Sequence, residues 1–311
     1  MLDDLLDDWM AGYRPPFEGI RIIGHRWSRE AHALKDFLAR NHVPYQYLDI
    51  EHDPEARTVL ERAPEPAPRL PAVLLADGAW LPAPTPGELA DRAGLRQRAT
   101  AEFYDLAIVG GGPAGLAAAV YGASEGLRTV LIEREAPGGQ AGTSSRIENY
   151  LGFPSGLSGG DLARRAVTQA RRFGVEILAP QAVQTLRRDG PYRVLELTDG
   201  TQLSTYAVVA DTGLSYKRIN APGADALTGA GVYYGASITE ALACKDQPVF
   251  IVGAGNSAGQ AAVYLAGFAA QVTLVVRGDN LEAKMSQYLV DRINQTSNIA
   301  VRLRSEITAM H

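Results

Sequence analysis

An apolar stretch that leads directly into closely spaced glycines constrains this chain more than any other feature of its sequence. Residues 106–109 read Leu-Ala-Ile-Val, and Gly110, Gly112 and Gly115 follow in a Gly-x-Gly-x-x-Gly pattern before an Ala-rich segment. Strand, tight turn and helix in this order place free N–H groups and the positive end of a helix dipole where a pyrophosphate binds. The pattern predicts a dinucleotide-binding βαβ unit.

The residues beyond this turn complete the unit. Residues 129–132, Thr-Val-Leu-Ile, predict a second strand that ends at Glu133. This acid follows the glycines by about 20 residues, the spacing at which a carboxylate accepts hydrogen bonds from a ribose. Pro113 and Ala114, at the start of the predicted helix, are further candidates for contact with the phosphates. The complete set of parts indicates a nucleotide site rather than an ordinary glycine-rich turn.

The same pattern returns in the last third of the chain. Residues 249–252 read Val-Phe-Ile-Val and lead into a second glycine turn. We expect a helix from this turn through Ala269, a strand over residues 272–276 and one more strand over residues 299–309. The candidate nucleotide-binding residues of this turn are Gly253, Gly255, Asn256, Ser257 and Ala258, the last in the third glycine position.

Arg277 stands at the end of the second strand of this copy, where the first copy has an acid. An acid there favours NAD, whereas an arginine pairs with the 2′-phosphate of NADP. Gly278 and Glu282 occupy the loop where further arginines would strengthen this preference. NADPH is therefore the expected cofactor, with NADH, and a solvated Arg277, as the alternatives.

The composition of the chain argues against several classes of function. The chain has 311 residues and a formal net charge of −5. It offers no basic patch with interleaved aromatic residues for nucleic acid, and no apolar run of about 20 residues to span a membrane. The acidic start has no signal-peptide pattern, and the single cysteine, Cys244, allows no intrachain disulfide. Both features predict a cytoplasmic location.

The histidines lie at the two ends of the chain. None is found between His52 and His311, so the middle of the chain has no imidazole for acid–base chemistry or metal binding. We expect no metal site. Hydride transfer on a cofactor requires neither an imidazole nor a metal ion.

Residues 19–95 predict the order β-α-β-α-β-β-α. Ser28 and Asp53 are the expected N-caps of the first two helices, and Thr85 opens a capping box at the third. We expect residues 1–18 to form an amphipathic tail or linker and residues 96–102 to form a polar linker.

This order of elements resembles the glutaredoxin and thioredoxin-like fold, in which a cis-proline would lie at Leu70-Pro71. The redox cysteines of that fold would fall within His25-Arg26-Trp27-Ser28, which holds no sulfur. The resemblance implies a domain that is kept for docking or regulation. The alternative is a partner protein that recognises the Arg26-Trp27 tip.

Two loops after Glu133 carry a second resemblance. With the first glycine turn, the stretches Pro137-Gly138-Gly139-Gln140 and Glu148-Asn149-Tyr150-Leu151-Gly152-Phe153 resemble segments of the low-molecular-weight thioredoxin reductase family. The resemblance covers residues 103–311 and implies that these loops wrap FAD. Asp211, just before Thr212-Gly213, has no explanation in this comparison. The further FAD-binding residues that the resemblance implies are Gly138, Gly139, Gln140, Asn149, Val183, Thr212 and Gly213.

That family also carries a Cys-x-x-Cys pair before its second glycine turn. Gly235 and Ile238 stand at those positions here, so the resemblance implies no catalytic cysteine. A dithiol relay needs two thiols within bonding distance, and Cys244 is alone. The family also continues beyond the second turn, so we expect this chain to be truncated at its C-terminus.

The sequence thus predicts an α/β protein with a thioredoxin-like βαβαββα domain and tandem Rossmann-like domains. The expected units are residues 19–95, an FAD-binding domain over 103–221 and an incomplete NAD(P)H-binding domain over 222–311. The expected function is that of an oxidoreductase, in which hydride passes from NADPH to FAD and electrons pass to an unidentified acceptor. A ferredoxin-NADP-reductase-like electron transfer and a non-catalytic FAD-binding regulatory module are the alternatives. We expect a homodimer for the full-length protein.

Overall fold

The computed structural model describes residues 19–214 and 217–311, and the tail predicted for residues 1–18 lies outside this range. The described residues form three β-sheets with helices packed against them. This mixed α/β architecture with Rossmann-like sheets confirms the predicted fold class. No helix in the described part of the chain is long and apolar enough to cross a membrane.

The first sheet has four strands in the order β2-β1-β3-β4. β1 is parallel to β2 and antiparallel to β3. Ile22, Leu34, Leu38 and Val73 are fully buried between sheet and helices. The elements are β1 (Ile20–Gly24), α1 (Arg29–Arg40), β2 (Tyr45–Asp49), α2 (Pro54–Leu60), β3 (Ala72–Leu74), β4 (Trp80–Pro82) and α3 (Pro86–Arg92).

The helix caps in this region agree with the predictions in two of three cases. The Ser28 side chain accepts from the backbone N–H of Ala31, and Thr85 and Glu88 form the expected capping box. Asp53 stands at the predicted N-cap position of α2, but its side chain caps no N–H of that helix. Its carboxylate instead accepts from the Asp49 N–H at 2.6 Å, because the chain turns tightly between β2 and α2. The Leu70–Pro71 peptide is cis.

The second sheet has six strands in the order β7-β6-β5-β10-β9-β8. β5 lies at its centre, parallel to both β6 and β10, and Ile108 and Leu131 are fully buried. A Cβ on Gly122 would lie 2.6 Å from Leu106, so this glycine lets α4 pack closely on β5. The elements are β5 (Phe103–Val109), α4 (Pro113–Ser124), β6 (Thr129–Ile132), α5 (Gly159–Arg172), β7 (Glu176–Leu178), β8 (Val183–Asp189), β9 (Tyr192–Leu197) and β10 (Gln202–Ala210), with a 3-10 turn at Ala141–Thr143.

The polar residues before β5 are bound to the edge of this sheet. The Glu176 carboxylate accepts from Arg96 at 3.1 Å, from the Thr100 N–H at 2.8 Å and from the Tyr104 hydroxyl at 2.7 Å. The Ala179 N–H donates to the carbonyl oxygen of Arg96 at 2.9 Å. The segment 96–102 is therefore an ordered strap along β7.

The third sheet contains three parallel strands in the order β11-β12-β13. The helix after the second glycine turn is shorter than predicted: it ends at Leu265, and a turn that includes Gly267 follows. The last strand is also shorter, because Arg304 adopts a φ of 50° and the chain leaves the sheet. The elements are α6 (Ala224–Leu227), α7 (Ile238–Ala243), β11 (Pro248–Val252), α8 (Asn256–Leu265), β12 (Gln271–Val275), α9 (Gln287–Gln295) and β13 (Ile299–Arg302).

Candidate functional site

The first glycine turn connects the carboxyl end of β5 to α4. A Cβ on Gly110 would lie 1.8 Å from the carbonyl oxygen of Asp211, and a Cβ on Gly115 would lie 2.1 Å from that of Gly110. These two glycines are therefore required by backbone packing. Gly112 is the N-cap of α4 and has no side chain of its own to cap the helix.

Glu133 lies beside this turn, at the end of β6, and is 8% exposed. Its Oε2 accepts from the Gly111 N–H at 2.7 Å, and its Oε1 accepts from the Glu135 N–H at 2.9 Å. These bonds hold the carboxylate at the carboxyl edge of the sheet, next to the glycines, where a ribose would follow the phosphates.

The loop that contains Gly138, Gly139 and Gln140 returns to the same place. The Gly138 N–H donates to the carbonyl oxygen of Gly111 at 2.7 Å. A Cβ on Gly139 would lie 3.1 Å from the Cα of Gly112, and Gly139 has a φ of 53°. The glycines of this loop thus allow two backbone segments to lie in contact at the turn.

The contacts of Asp211 explain why an aspartate stands at this position, which the sequence alone did not. Its N–H donates to the carbonyl oxygen of Val109 at 2.8 Å, which aligns the end of β10 with β5. Its Oδ2 accepts from the Gly115 N–H at 2.7 Å, in the first turn of α4. A carboxylate from a neighbouring strand therefore serves as the cap that the glycine turn lacks.

The remaining predicted FAD residues lie at different distances from the turn. Thr212 and Gly213 directly follow Asp211 and are exposed. Val183 begins β8, two residues after Gln181, whose N–H donates to the carbonyl oxygen of Glu133 at 2.8 Å. Asn149 lies on an exposed loop, and no hydrogen bond within residues 19–214 and 217–311 joins it to the glycine turn.

The second glycine turn connects β11 to α8, with Gly255 as an N-cap that has no side chain. Gly253 has a φ of 146°, which the sharp turn requires. The Asn256 side chain is bound to the start of α9: its Nδ2 donates to Ser286 Oγ at 3.0 Å, and its Oδ1 accepts from the Ser286 N–H at 2.7 Å. Ser257 and Ala258 follow in the first turn of α8.

Arg277 is exposed just beyond the carboxyl end of β12. The Arg304 N–H donates to the carbonyl oxygen of Gly278 at 2.9 Å, which brings a second arginine to the same edge. Arg304 could not be identified from the sequence, because it lies outside the loop that directly follows Arg277. The parallel pairing of β12 with β13 is the signal that relates the two residues.

A cleft of about 240 Å³ lies between the first sheet's α1, the 3-10 turn after Gln140 and the segment before α7. Gln140, which the sequence resemblance implies in FAD binding, and Gly235, which stands at a cysteine position of the related family, both line it. His32 lines it as well, although the position of His32 in the sequence gave no indication of this. The charged residues that line the cleft are His32, Asp36, Arg40 and Glu240.

The electrostatics of the cleft follow from burial. His32 Nε2 lies 3.5 Å from Glu240 Oε1, and its ring centroid is 4.7 Å from that of Tyr233. Burial lowers the pKa of His32, although the Glu240 carboxylate opposes this shift. Burial also raises the pKa of Asp36 to about 6, against the effect of the Arg40 guanidinium. The cleft therefore contains one carboxyl, that of Asp36, which titrates closer to neutral pH than an ordinary aspartate.

Two arginines join α1 and its preceding loop to the third-sheet region. Arg26 donates to the carbonyl oxygens of Ala243 and Lys245, beside Cys244. Arg29 donates to the carbonyl oxygens of Asp225 and Ala226, each at 2.8 Å. The Arg26 side chain is therefore committed to a contact within its own chain.

Two glycine turns at helix N-termini, each at the carboxyl ends of parallel strands, are typical of α/β oxidoreductases that use two dinucleotides. The family model for pyridine nucleotide-disulphide oxidoreductase matches residues 104–311, and the chain belongs to this family. This confirms the predicted oxidoreductase family. The family assignment supports FAD and NADPH as the cofactors.

Individual relatives agree with this assignment. A thioredoxin reductase from Ureaplasma parvum is 37% identical over 200 residues, which cover 64% of this chain and 63% of the relative. One from Bacillus subtilis is 38% identical over 184 residues, which cover 59% of this chain and 57% of the relative. The matched part of the chain thus spans about 60% of the length of these relatives.

Solved structures show the same relationship. The structure of Lactococcus lactis thioredoxin reductase gives a TM-score of 0.62 at 29% identity and covers 67% of each chain. That of the T. acidophilum thioredoxin reductase gives 0.63 at 25% identity, covering 68% of this chain and 67% of the other. The predicted resemblance to thioredoxin reductases is thereby confirmed.

Proposed function

We propose that this chain is part of a flavoprotein oxidoreductase in which NADPH reduces FAD and the electrons then pass to an unidentified external acceptor. The observation that carries the proposal is the pair of glycine turns, each of which opens a helix without a side-chain cap of its own. FAD would supply the redox chemistry. The protein contributes binding, orientation and electrostatics.

The residues at the first turn fit FAD. The Gly115 N–H at this helix N-terminus donates to an anionic oxygen, Oδ2 of Asp211, which supports this position as one that favours negative charge. Gly110, Gly112 and Gly115 admit the phosphates, with Pro113 and Ala114 in the first helical turn. Glu133 would accept the ribose hydroxyls. The further residues proposed to contact FAD are Gly138, Gly139, Gln140, Asn149, Val183, Thr212 and Gly213.

The second turn would hold the pyrophosphate of NADPH through Gly253, Gly255 and the backbone of residues 256–258. Arg277, with Arg304 beside it, would bind the 2′-phosphate. Exposure of Arg277 at the strand end supports this role, because the phosphate reaches it from solvent.

The acceptor is proposed to take electrons without a thiol relay. Gly235 and Ile238 stand where the related enzymes would carry cysteines, and the chain holds one cysteine in total. A one-electron carrier, as in ferredoxin-NADP reductases, is the alternative acceptor. The alternative that is not an enzyme is an FAD-binding regulatory module.

Residues 19–95 are proposed to form a thioredoxin-like domain that docks on its own reductase region. The βαβαββα order and the bonds from Arg26 and Arg29 support this role. We propose domain boundaries at residues 96–102 and 221–222, a cytoplasmic location and a homodimer of the full-length protein.

The absorbance spectrum of the purified full-length protein, before and after anaerobic addition of NADPH, tests the proposal. Bound flavin that bleaches on addition identifies the oxidoreductase. Bound flavin that does not bleach supports the non-catalytic module. Colourless protein that does not bind added FAD contradicts both.

A further inference from the structure

The anion position at the N-terminus of α4 is filled by a side chain of the same chain. Asp211 Oδ2 lies 2.7 Å from the Gly115 nitrogen and 3.2 Å from the point where a Cβ on Gly112 would stand. The carboxylate therefore borders the space that is open because residue 112 has no side chain. A pyrophosphate uses this same space to approach the backbone.

The backbone of Asp211 cannot withdraw from the turn. Its N–H is bound to Val109, and its carbonyl oxygen is packed against Gly110, where a Cβ would lie 1.8 Å away. The carboxylate therefore leaves the turn only by rotation of its side chain. Within the described residues, no arginine or lysine forms an ion pair with Asp211 that would neutralise its charge.

We propose that Asp211 is an internal competitor for the FAD phosphates and sets a weak, exchangeable affinity for the cofactor. This inference rests on the proposed function, since it takes this turn as the FAD site. A pyrophosphate needs the helix N-terminus that the carboxylate occupies, and two negative groups at one helix N-terminus repel each other. FAD must therefore displace the carboxylate and then bind beside it.

A competitor and a structural cap give different results when the carboxylate is removed. Loss of a cap alone lowers the stability of the FAD-free chain and weakens FAD binding along with it. Loss of a competitor also lowers the stability of the FAD-free chain, because the Gly115 N–H loses its acceptor, but it tightens FAD binding. Opposite signs in the two measurements identify the competitor.

The experiment compares the parent chain with Asp211→Ala and Asp211→Asn by isothermal titration with FAD and, separately, with inorganic pyrophosphate. Thermal unfolding without ligand gives the stability. Asp211→Asn has the same shape and keeps an oxygen for the Gly115 N–H, so it serves where the alanine variant unfolds. The matched control is Asp199→Asn, which alters a carboxylate that accepts a backbone N–H at 3.0 Å in an exposed turn at the opposite end of β10 from Asp211.

We expect both Asp211 variants to bind FAD and pyrophosphate at least tenfold more tightly than the parent, and Asp211→Ala to melt at a lower temperature. Asp199→Asn should bind FAD like the parent. Equal or weaker FAD binding by both Asp211 variants, with binding retained in the parent, would overturn this inference and leave the proposed function intact. FAD binding by none of the proteins would overturn both.

Discussion

Arg26 precedes Ala243 by 217 positions, yet its Nη2 donates to the carbonyl oxygen of Ala243 at 2.7 Å. Its Nε reaches the same oxygen at 3.0 Å, and its Nη2 also donates to the carbonyl oxygen of Lys245 at 3.0 Å. Ala243 is the last residue of α7, so a cation lies where the backbone carbonyls of a helix end are unpaired. This side chain joins the first-sheet region to α7.

Arg26→Ala should weaken the contact between the first-sheet region and α7 without affecting the nucleotide sites. Each charge-assisted bond contributes about 1.5–3 kcal/mol, so we expect amide hydrogen exchange in α7 to accelerate by tenfold or more. Arg92→Ala is the control, since Arg92 pairs only with Asp77 within the first-sheet region. Unchanged exchange in α7 would show that Arg26 does not hold this contact.

Gly112→Val should abolish FAD binding and leave the fold intact. A Cβ on Gly112 meets only the side chain of Asp211, so a larger residue obstructs the phosphates rather than the core. Gly115→Ala should instead unfold this region, because its Cβ would lie 2.1 Å from the carbonyl oxygen of Gly110.

Flavin fluorescence and circular dichroism separate these two outcomes. Gly87→Ala is the control, since a Cβ there would come no closer than 4.0 Å to a neighbouring atom, Thr85 Oγ1. Native FAD affinity in Gly112→Val would contradict the placement of the phosphates at this turn.

Arg277→Ala should remove most of the preference for NADPH over NADH. A bond to a charged partner contributes about 1.5–3 kcal/mol, or a tenfold to hundredfold preference. Arg304→Ala should remove a smaller part. The measurement is the KM for each nucleotide in flavin reduction, with Arg187→Ala on the distant β8 as control. Equal use of both nucleotides by the parent would refute the assignment.

The parts of this fold that depend on local patterns could be predicted from the sequence. Apolar runs and caps located most of the strands and helices, and the glycine spacing located both turns. The features that the sequence did not show depend largely on partners that are distant in the sequence. Asp211, for example, caps a helix that begins about a hundred residues earlier, at Pro113. The Asp53 carboxylate is a different case, since it bonds to the nearby Asp49 N–H rather than to its own helix. His32 reaches the cleft only through the packing of α1.

The chain should not reduce thioredoxin by a dithiol relay. Burial raises the pKa of Cys244, so its thiol stays protonated at neutral pH, and no second thiol is present to resolve a mixed disulfide. The assay is NADPH-dependent reduction of thioredoxin by flavin-loaded protein, with a quinone as the comparison acceptor. Rapid thioredoxin turnover that persists in Cys244→Ser would contradict this prediction.

Ionisation of the Asp36 carboxyl should lower the free energy of unfolding as the pH rises. Burial raises the pKa of its carboxyl from 3.8 to about 6, with Glu240 and Glu135 adding repulsion and Arg40 opposing it. The folded chain therefore keeps a proton that the unfolded chain has lost, and this stabilisation is complete below about pH 4 and lost by about pH 6.

Asp36→Asn removes this dependence. Relative to the parent, its free energy of unfolding should rise between pH 4 and pH 7.5 by at most about 3 kcal/mol. Urea denaturation at the two pH values measures the difference, with Asp91→Asn as an exposed control. A parent and variant that change in parallel would show that Asp36 titrates normally.

The strap over residues 96–102 also bears on how this protein can be divided. β7 is an outer strand of the six-stranded sheet, and its edge is covered by the carbonyl oxygen of Arg96 and by the bonds to Glu176. A truncated protein that begins after Thr100 would leave the Ala179 N–H without its acceptor and this edge of β7 uncovered, so that another copy could join it. We therefore expect such a protein to self-associate, whereas one that begins before Leu95 should remain dispersed.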